Sequence, residues 1–244
     1  MFPTIEIGRL SLPVPGLLVL VTVWLGLSIA ERWASRYRVP GSKIYYLLFY
    51  SLLAGLIGAR ISFLASTPRA FFNDPLSLFA LDQHLFDPLG GLLIAGLVGW
   101  FYASQENLPL LDTLDAVTPF LAVIQIGLSA SQLASGAGYG SPTSLPWGIY
   151  LWGAARHPTQ IYQMLIGAGI LAMIWAWNPA GEDDSGKVFF TFLALSSGGR
   201  LVTEAFRGDS DYILGGIRTA QIYSWALLAF SLWYLGNLMK SKEE

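Results

Sequence analysis

Arg200, Glu204 and Arg207 stand at i, i+4 and i+7 in "SSGGRLVTEAFRGDSD", a spacing that puts all three on one face of a helix. Glu204 can neutralise only one arginine, so the pattern predicts one positive charge left over to meet an anion. Arginine's planar fork suits a phosphate. Arg60, in "GLIGARISF", and His157, Gln160 and Tyr162, in "ARHPTQIYQ", lie at the edges of two other apolar runs and extend the same expected cationic cleft. Charge inside a bilayer is expensive and marks a functional position by default. Simpler readings stand beside each of these. Arg60 can snorkel to headgroups, although Gly55 and Gly58 suggest a packing face that turns it inward. His157 can be a helix-start residue held before Pro158, and Thr159 an N-terminal cap. The arginine–glutamate set can be a self-satisfied ion network. Asp112 and Asp115, in "LDTLDAVTPF", read as structural, complementing the dipole of the helix they open.

The elements that must position these groups are membrane helices. Of 244 residues, 54% are hydrophobic and 12% charged, against roughly a quarter charged in soluble domains. Seven apolar runs, at about 12–31, 44–65, 86–104, 109–131, 159–178, 187–206 and 217–239, approach the roughly 20 residues that cross a bilayer. The expected fold is all-α, a polytopic membrane protein of about seven helices forming one transmembrane domain over 1–244. The first run is too long for a signal peptide and is expected to be retained. Arg32, Arg36, Arg38, Lys43, Lys187, Lys240 and Lys242 fall on one side of these runs, and Arg9, Arg69, Arg156, Arg207 and Arg218 on the other. The bias predicts an outer N-terminus and a cytoplasmic C-terminus. A long Gly-, Ser- and Pro-rich loop, about 132–158, should lie along the outer interface, where Trp147 and Trp152 would sit.

Composition also excludes. A net charge of −2 without a basic tract leaves no footprint for nucleic acid. With no cysteine, any thiol chemistry must act on another molecule's thiol. The glycines lie in apolar helices and loops, outside any P-loop or Rossmann context, so no dinucleotide, other cofactor or metal is expected.

"GAR" at 58–60, "LPWGIYLWGAARHPTQIYQ" and "GRLVTEAFRGDSD" occur in the order and spacing of a known family. On these strings the chain resembles the prolipoprotein diacylglyceryl transferases, seven-helix enzymes of the bacterial inner membrane. The resemblance implies transfer of a diacylglyceryl group from phosphatidylglycerol to the lipobox cysteine thiol of a lipoprotein precursor, leaving glycerol phosphate. It implies catalytic roles for His157, Arg200 and Glu204. It further implies that Arg60, Gln132, Gly140, Gln160, Tyr162 and Arg207 contact the phospholipid headgroup. Its partners would be phosphatidylglycerol, lipobox precursors and surrounding membrane lipids.

The chain also departs from the family pattern. Leu89, in "FDPLGGLL", holds the place of a histidine. In "LSASQLASGA", Ser129 replaces an arginine, Gln132 and Ser135 replace asparagines, and Ala137 replaces a glutamate, while Asp115 and Gly140 are kept. The first-helix tyrosine is missing. A leucine takes no proton, so His84, His157 or Glu204 could supply the base, or the remaining arginines could suffice at a slower rate. The alternative function is a non-catalytic relative that binds anionic phospholipid or lipoprotein precursor. A transporter would call for inverted repeats or paired broken helices, and the sequence has neither.

Overall fold

An apolar chain surrounded by lipid must pair its backbone amides internally, and helices do so within one segment. The computed structural model describes residues 4–7, 10–67, 86–177, 185–213 and 216–240, and these are mostly helical. The helices are α1 (Val14–Ala34), α2 (Gly41–Ser66), α3 (Pro88–Gln105), α4 (Leu110–Ser135), α5 (Thr159–Ala176), α6 (Lys187–Ala205) and α7 (Thr219–Lys240). Each lies on one of the apolar runs read from the sequence. Four, namely α1 with the short turn that follows it, α2, α4 and α5, are long and apolar enough to cross a membrane. Large apolar side chains such as Leu20, Trp24, Leu92, Trp100, Trp225 and Trp233 are exposed on the outside of the bundle. This is a helical membrane protein.

α4 is the centre of the packing. It lies against α1, α5 and α6; α2 pairs with α3, and α7 packs on α6. Small residues allow the close approaches. A Cβ on Gly26 of α1 would sit 2.8 Å from the Phe120 ring of α4, and one on Gly55 of α2 would sit 3.0 Å from Ala95 of α3. The packing face expected around Gly55 and Gly58 is therefore real, and it faces α3. The core gathers Trp33, Ile44, Phe120, Ile174 and Val188.

Contacts at the helix ends fix the directions. At one end Lys43 pairs with Glu106 at 2.9 Å, and Arg36 lies over Trp33 and Trp175 at 3.9 and 5.5 Å. At the same end Phe190 stacks on Tyr234 at 3.9 Å. Asp115 joins α4 to α6 there. Its side chain is completely buried, and its carboxylate accepts from the backbone N–H of Gly186 at 2.7 Å and of Phe189 at 2.8 Å. These are orphan donors of the first turn of α6. Asp112 accepts from Ser185 Oγ and pairs with Arg38 at 3.4 Å. Both aspartates are structural, as expected, but they serve the start of α6 rather than the helix they belong to. α4 and α6 consequently run parallel.

Among the described residues there are also three two-stranded hairpins: β1 (Thr4–Ile7) with β2 (Leu10–Pro13), β3 (Ile149–Leu151) with β4 (Ala154–Arg156), and β5 (Tyr212–Ile213) with β6 (Ile217–Arg218). The second interrupts the stretch expected to be loop. Trp152 and Gly153 take positive φ, 52° and 79°, the twist that a two-residue hairpin turn requires.

Replacing Asp115 by Ala strands two buried N–H groups and should cost about 2 kcal/mol of stability. Thermal unfolding of the purified protein in detergent measures this. An unchanged midpoint would show that α6 does not depend on the carboxylate.

Candidate functional site

The end of the bundle opposite Lys43 is closed by two connections bonded to each other. The segment after α4 meets the segment after α6 through Ser141 N–H to Phe206 O at 2.8 Å and Gly208 N–H to Tyr139 O at 2.8 Å. Asp209 fastens both, accepting from Gly138 N–H at 2.7 Å and from Arg207 Nε at 2.6 Å. Gly140 has no room for a side chain, because a Cβ there would collide with the His157 carbonyl oxygen. On the other side, a Cβ on Gly208 would lie 2.7 Å from the Gly140 carbonyl oxygen. Three strands of backbone are stacked here.

"ARHPTQIYQ" is built into this cap. Thr159 is not the N-terminal cap; Pro158 occupies that position, and Thr159 Oγ1 donates to Gly138 O at 2.6 Å. Gln160 is completely buried, and its Nε2 donates to Ala137 O at 2.8 Å. Its side-chain amide thus meets backbone, where the resemblance implied the headgroup. His157 Nδ1 lies 3.4 Å from Tyr162 Oη, which accepts from Trp147 Nε1 at 2.9 Å. The His157 ring also packs 5.0 Å from that of Phe206. With Trp147 donating to it, the Tyr162 hydroxyl is free to donate to His157 Nδ1. That arrangement leaves the imidazole proton on Nε2.

Arg200 opens on a cavity. A space of about 320 Å³ is lined by one face of α4, by Gln163 of α5 and by Phe192 and Arg200 of α6. Ser129 and Gln132, the positions where family arginine and asparagine are replaced, are both in its wall. A narrower recess of about 120 Å³ adjoins it and shares Gln125, Gln163 and Arg200. Glu204 stands behind Arg200. Its Oε2 faces Arg200 Nε at 3.4 Å, and the glutamate side chain is 2% exposed against 36% for the arginine. Ser210 Oγ donates to the other oxygen of Glu204.

This corrects the charge count made from the sequence. Arg207 is not left over, because Asp209 neutralises it, as Glu204 does Arg200. The set carries two positive and two negative charges. Arg200 can still meet an anion because its counterion approaches from the buried side. Nor do all the candidate residues converge. Arg200 and Gln132 share the cavity, while Glu204 backs it. Gly140, His157, Gln160, Tyr162 and Arg207 belong to the cap. Arg60 belongs to the α2–α3 pair, its guanidinium 4.8 Å from the Phe86 ring, and it is not among the cavity's lining residues. Leu89 is 67% exposed. His84 lies outside the described residues.

Gln125, Gln163 and Ser196 were missed from the sequence because uncharged polar residues inside the apolar runs, away from the "HPTQIY" string, were not weighed. A lone amide in the apolar run "FLAVIQIGL" is a weaker signal of the same kind. The cap can be tested directly. Gly140→Ala should lower stability by about 2 kcal/mol through overpacking. Gly96→Ala, where nothing lies within 4 Å, should be neutral or slightly stabilising; equal unfolding midpoints would contradict the stacking.

A family model described as prolipoprotein diacylglyceryl transferase matches residues 3–236. Curated relatives bear the name phosphatidylglycerol–prolipoprotein diacylglyceryl transferase. The one from Thermosynechococcus vestitus is 27% identical, with the match covering 96% of this chain and 91% of the relative. The one from Clostridioides difficile is 28% identical, over 86% of this chain and 84% of the relative. The Synechococcus elongatus protein is 27% identical, over 93% and 84% respectively. The cavity with Arg200 in its wall and the cap built on "HPTQIY" thus sit in a chain that belongs to the prolipoprotein diacylglyceryl transferase family.

Proposed function

We propose that the chain transfers the diacylglyceryl group of phosphatidylglycerol to the lipobox cysteine of a lipoprotein precursor. The observation that carries this reading is Arg200, held on the wall of a bundle cavity by a buried glutamate. In the reaction the precursor's thiol sulfur attacks the glyceryl carbon that bears the phosphate. The carbon–oxygen bond breaks, a carbon–sulfur bond forms, and glycerol phosphate leaves with the bonding pair. Negative charge grows on the departing phosphate, and Arg200 offsets it with a geometry set beforehand. Glu204, with one oxygen accepting from Ser210 and the other facing Arg200, holds the guanidinium in place. The thiol proton passes to His157, whose Nδ1 is reached through the Tyr162 hydroxyl. Gln132 meets the headgroup beside Arg200, and Arg207, Gly140 and Gln160 hold the cap. Arg60 receives lipid phosphate at the α2–α3 pair.

The topology that fits is seven spans in the bacterial inner membrane, with the N-terminus and cap outside and the C-terminus in the cytoplasm. Arg32, Arg36, Arg38, Lys43 and Lys187 would then share the cytoplasmic end. A second reading, a lipid-binding relative without transferase activity, draws on the exposed Leu89 and on Ser129 in the cavity wall.

Purified protein, phosphatidylglycerol and a lipobox peptide decide between them. Mass spectrometry of the peptide should show the added diacylglyceryl group. Arg200→Ala should reduce transfer about a hundredfold, and His157→Gln at least about tenfold. A thiol that stays free while the lipid binds would establish the second reading instead.

A further inference from the structure

The cavity has a polarity gradient along its length. Asp115 makes α4 and α6 parallel, so positions on the two helices can be compared in depth. Gln132 and Ser129 line it toward the cap, Gln125 lies midway, and Ile124 and Leu121 line it toward the Lys43 end. From Leu121 to Gln132 the helix rises about 16 Å. On α6, Arg200 lies one turn nearer the cap than Ser196, about 6 Å. The order is therefore a cation, then an amide and hydroxyl, then hydrocarbon.

Gln125 sits where the polarity changes. Ser196 Oγ donates to its Oε1 at 2.9 Å, which orients the carboxamide. Its Nε2 has no hydrogen-bond partner among the described residues, and the residue lines both the cavity and its recess. A polar group at that depth, flanked in the cavity wall by Leu121, Ile124 and Leu128, calls for a ligand that accepts a hydrogen bond. In a glycerophospholipid the group one turn below the phosphate, at the root of the acyl chains, is an ester carbonyl.

We infer that the cavity seats a glycerophospholipid lengthwise, with phosphate at Arg200 and acyl chains toward Leu121, and that Gln125, oriented by Ser196, donates to an acyl ester carbonyl. The inference rests on the lipid-substrate reading above and adds that the protein selects ester-linked over ether-linked lipid. The carbon attacked in transfer is the same in both, so the discrimination is one of binding.

The test compares dioleoyl phosphatidylglycerol with its dialkyl ether analogue as competitors for a fluorescent phosphatidylglycerol bound to the full chain in detergent micelles. The wild type should prefer the diester by about fivefold, the factor for one neutral hydrogen bond, and Gln125→Leu should bring the two lipids to parity. Were Gln125 only a tie between α4 and α6, the substitution would weaken both lipids equally and leave the ratio intact. Parity in the wild type overturns the inference without any variant. A preference that survives in both Gln125→Leu and Ser196→Ala overturns it as well. Failure of either lipid to displace the probe, or of the probe to bind, would instead remove the lipid-substrate reading beneath it.

Discussion

The register of α4 against α6 is the constraint on which the site depends, and two aspartates hold it from opposite ends. Asp115 takes the first amides of α6, and Asp209 takes the amide of Gly138 just beyond α4. Each satisfies buried backbone donors, and a buried amide left unpaired costs about 1–3 kcal/mol. A slip of one turn would break both at once. It would also move Arg200 away from Gln125 and Gln163, with which it encloses the recess. The chain therefore spends Asp115 and Asp209 on alignment, while Glu204 faces Arg200.

That choice explains the electrostatics. A cation in a bundle can bind an anionic group only if its own counterion leaves one face open. Glu204, nearly without exposure and tied to Ser210, approaches Arg200 from behind. Arg207 is treated differently: Asp209 lies two residues on and closes against it at 2.6 Å. One arginine is presented and the other is fastened.

Much of this was legible in the sequence. Each of the seven apolar runs holds a helix among the described residues, because hydrocarbon leaves no cheaper way to pair a backbone. The i, i+4 spacing placed Arg200 against Glu204 correctly. What escaped was the geometry of the connections. The sequence cannot say that Asp209 folds back on Arg207, because the turn after α6 is set by a partner more than sixty residues away at Gly138. Thr159 looked like a cap for the same reason: its hydroxyl has a better partner in Gly138 O, which is remote in sequence. The hairpin at Trp152 was hidden because a tryptophan rarely adopts the positive φ found there. Gln125 passed unnoticed because an uncharged amide barely dents an apolar average.

The stacked backbones of Gly140, His157 and Gly208 have one more consequence. With the connections after α4 and α6 stitched together by main-chain bonds, a lipid substrate of the proposed reaction would come in sideways between helices. Entry would then be a two-dimensional search within the plane of the bilayer. Occupancy would follow the mole fraction of the lipid in that plane rather than its amount per volume, so diluting the plane with inert lipid should slow turnover even when total substrate is unchanged.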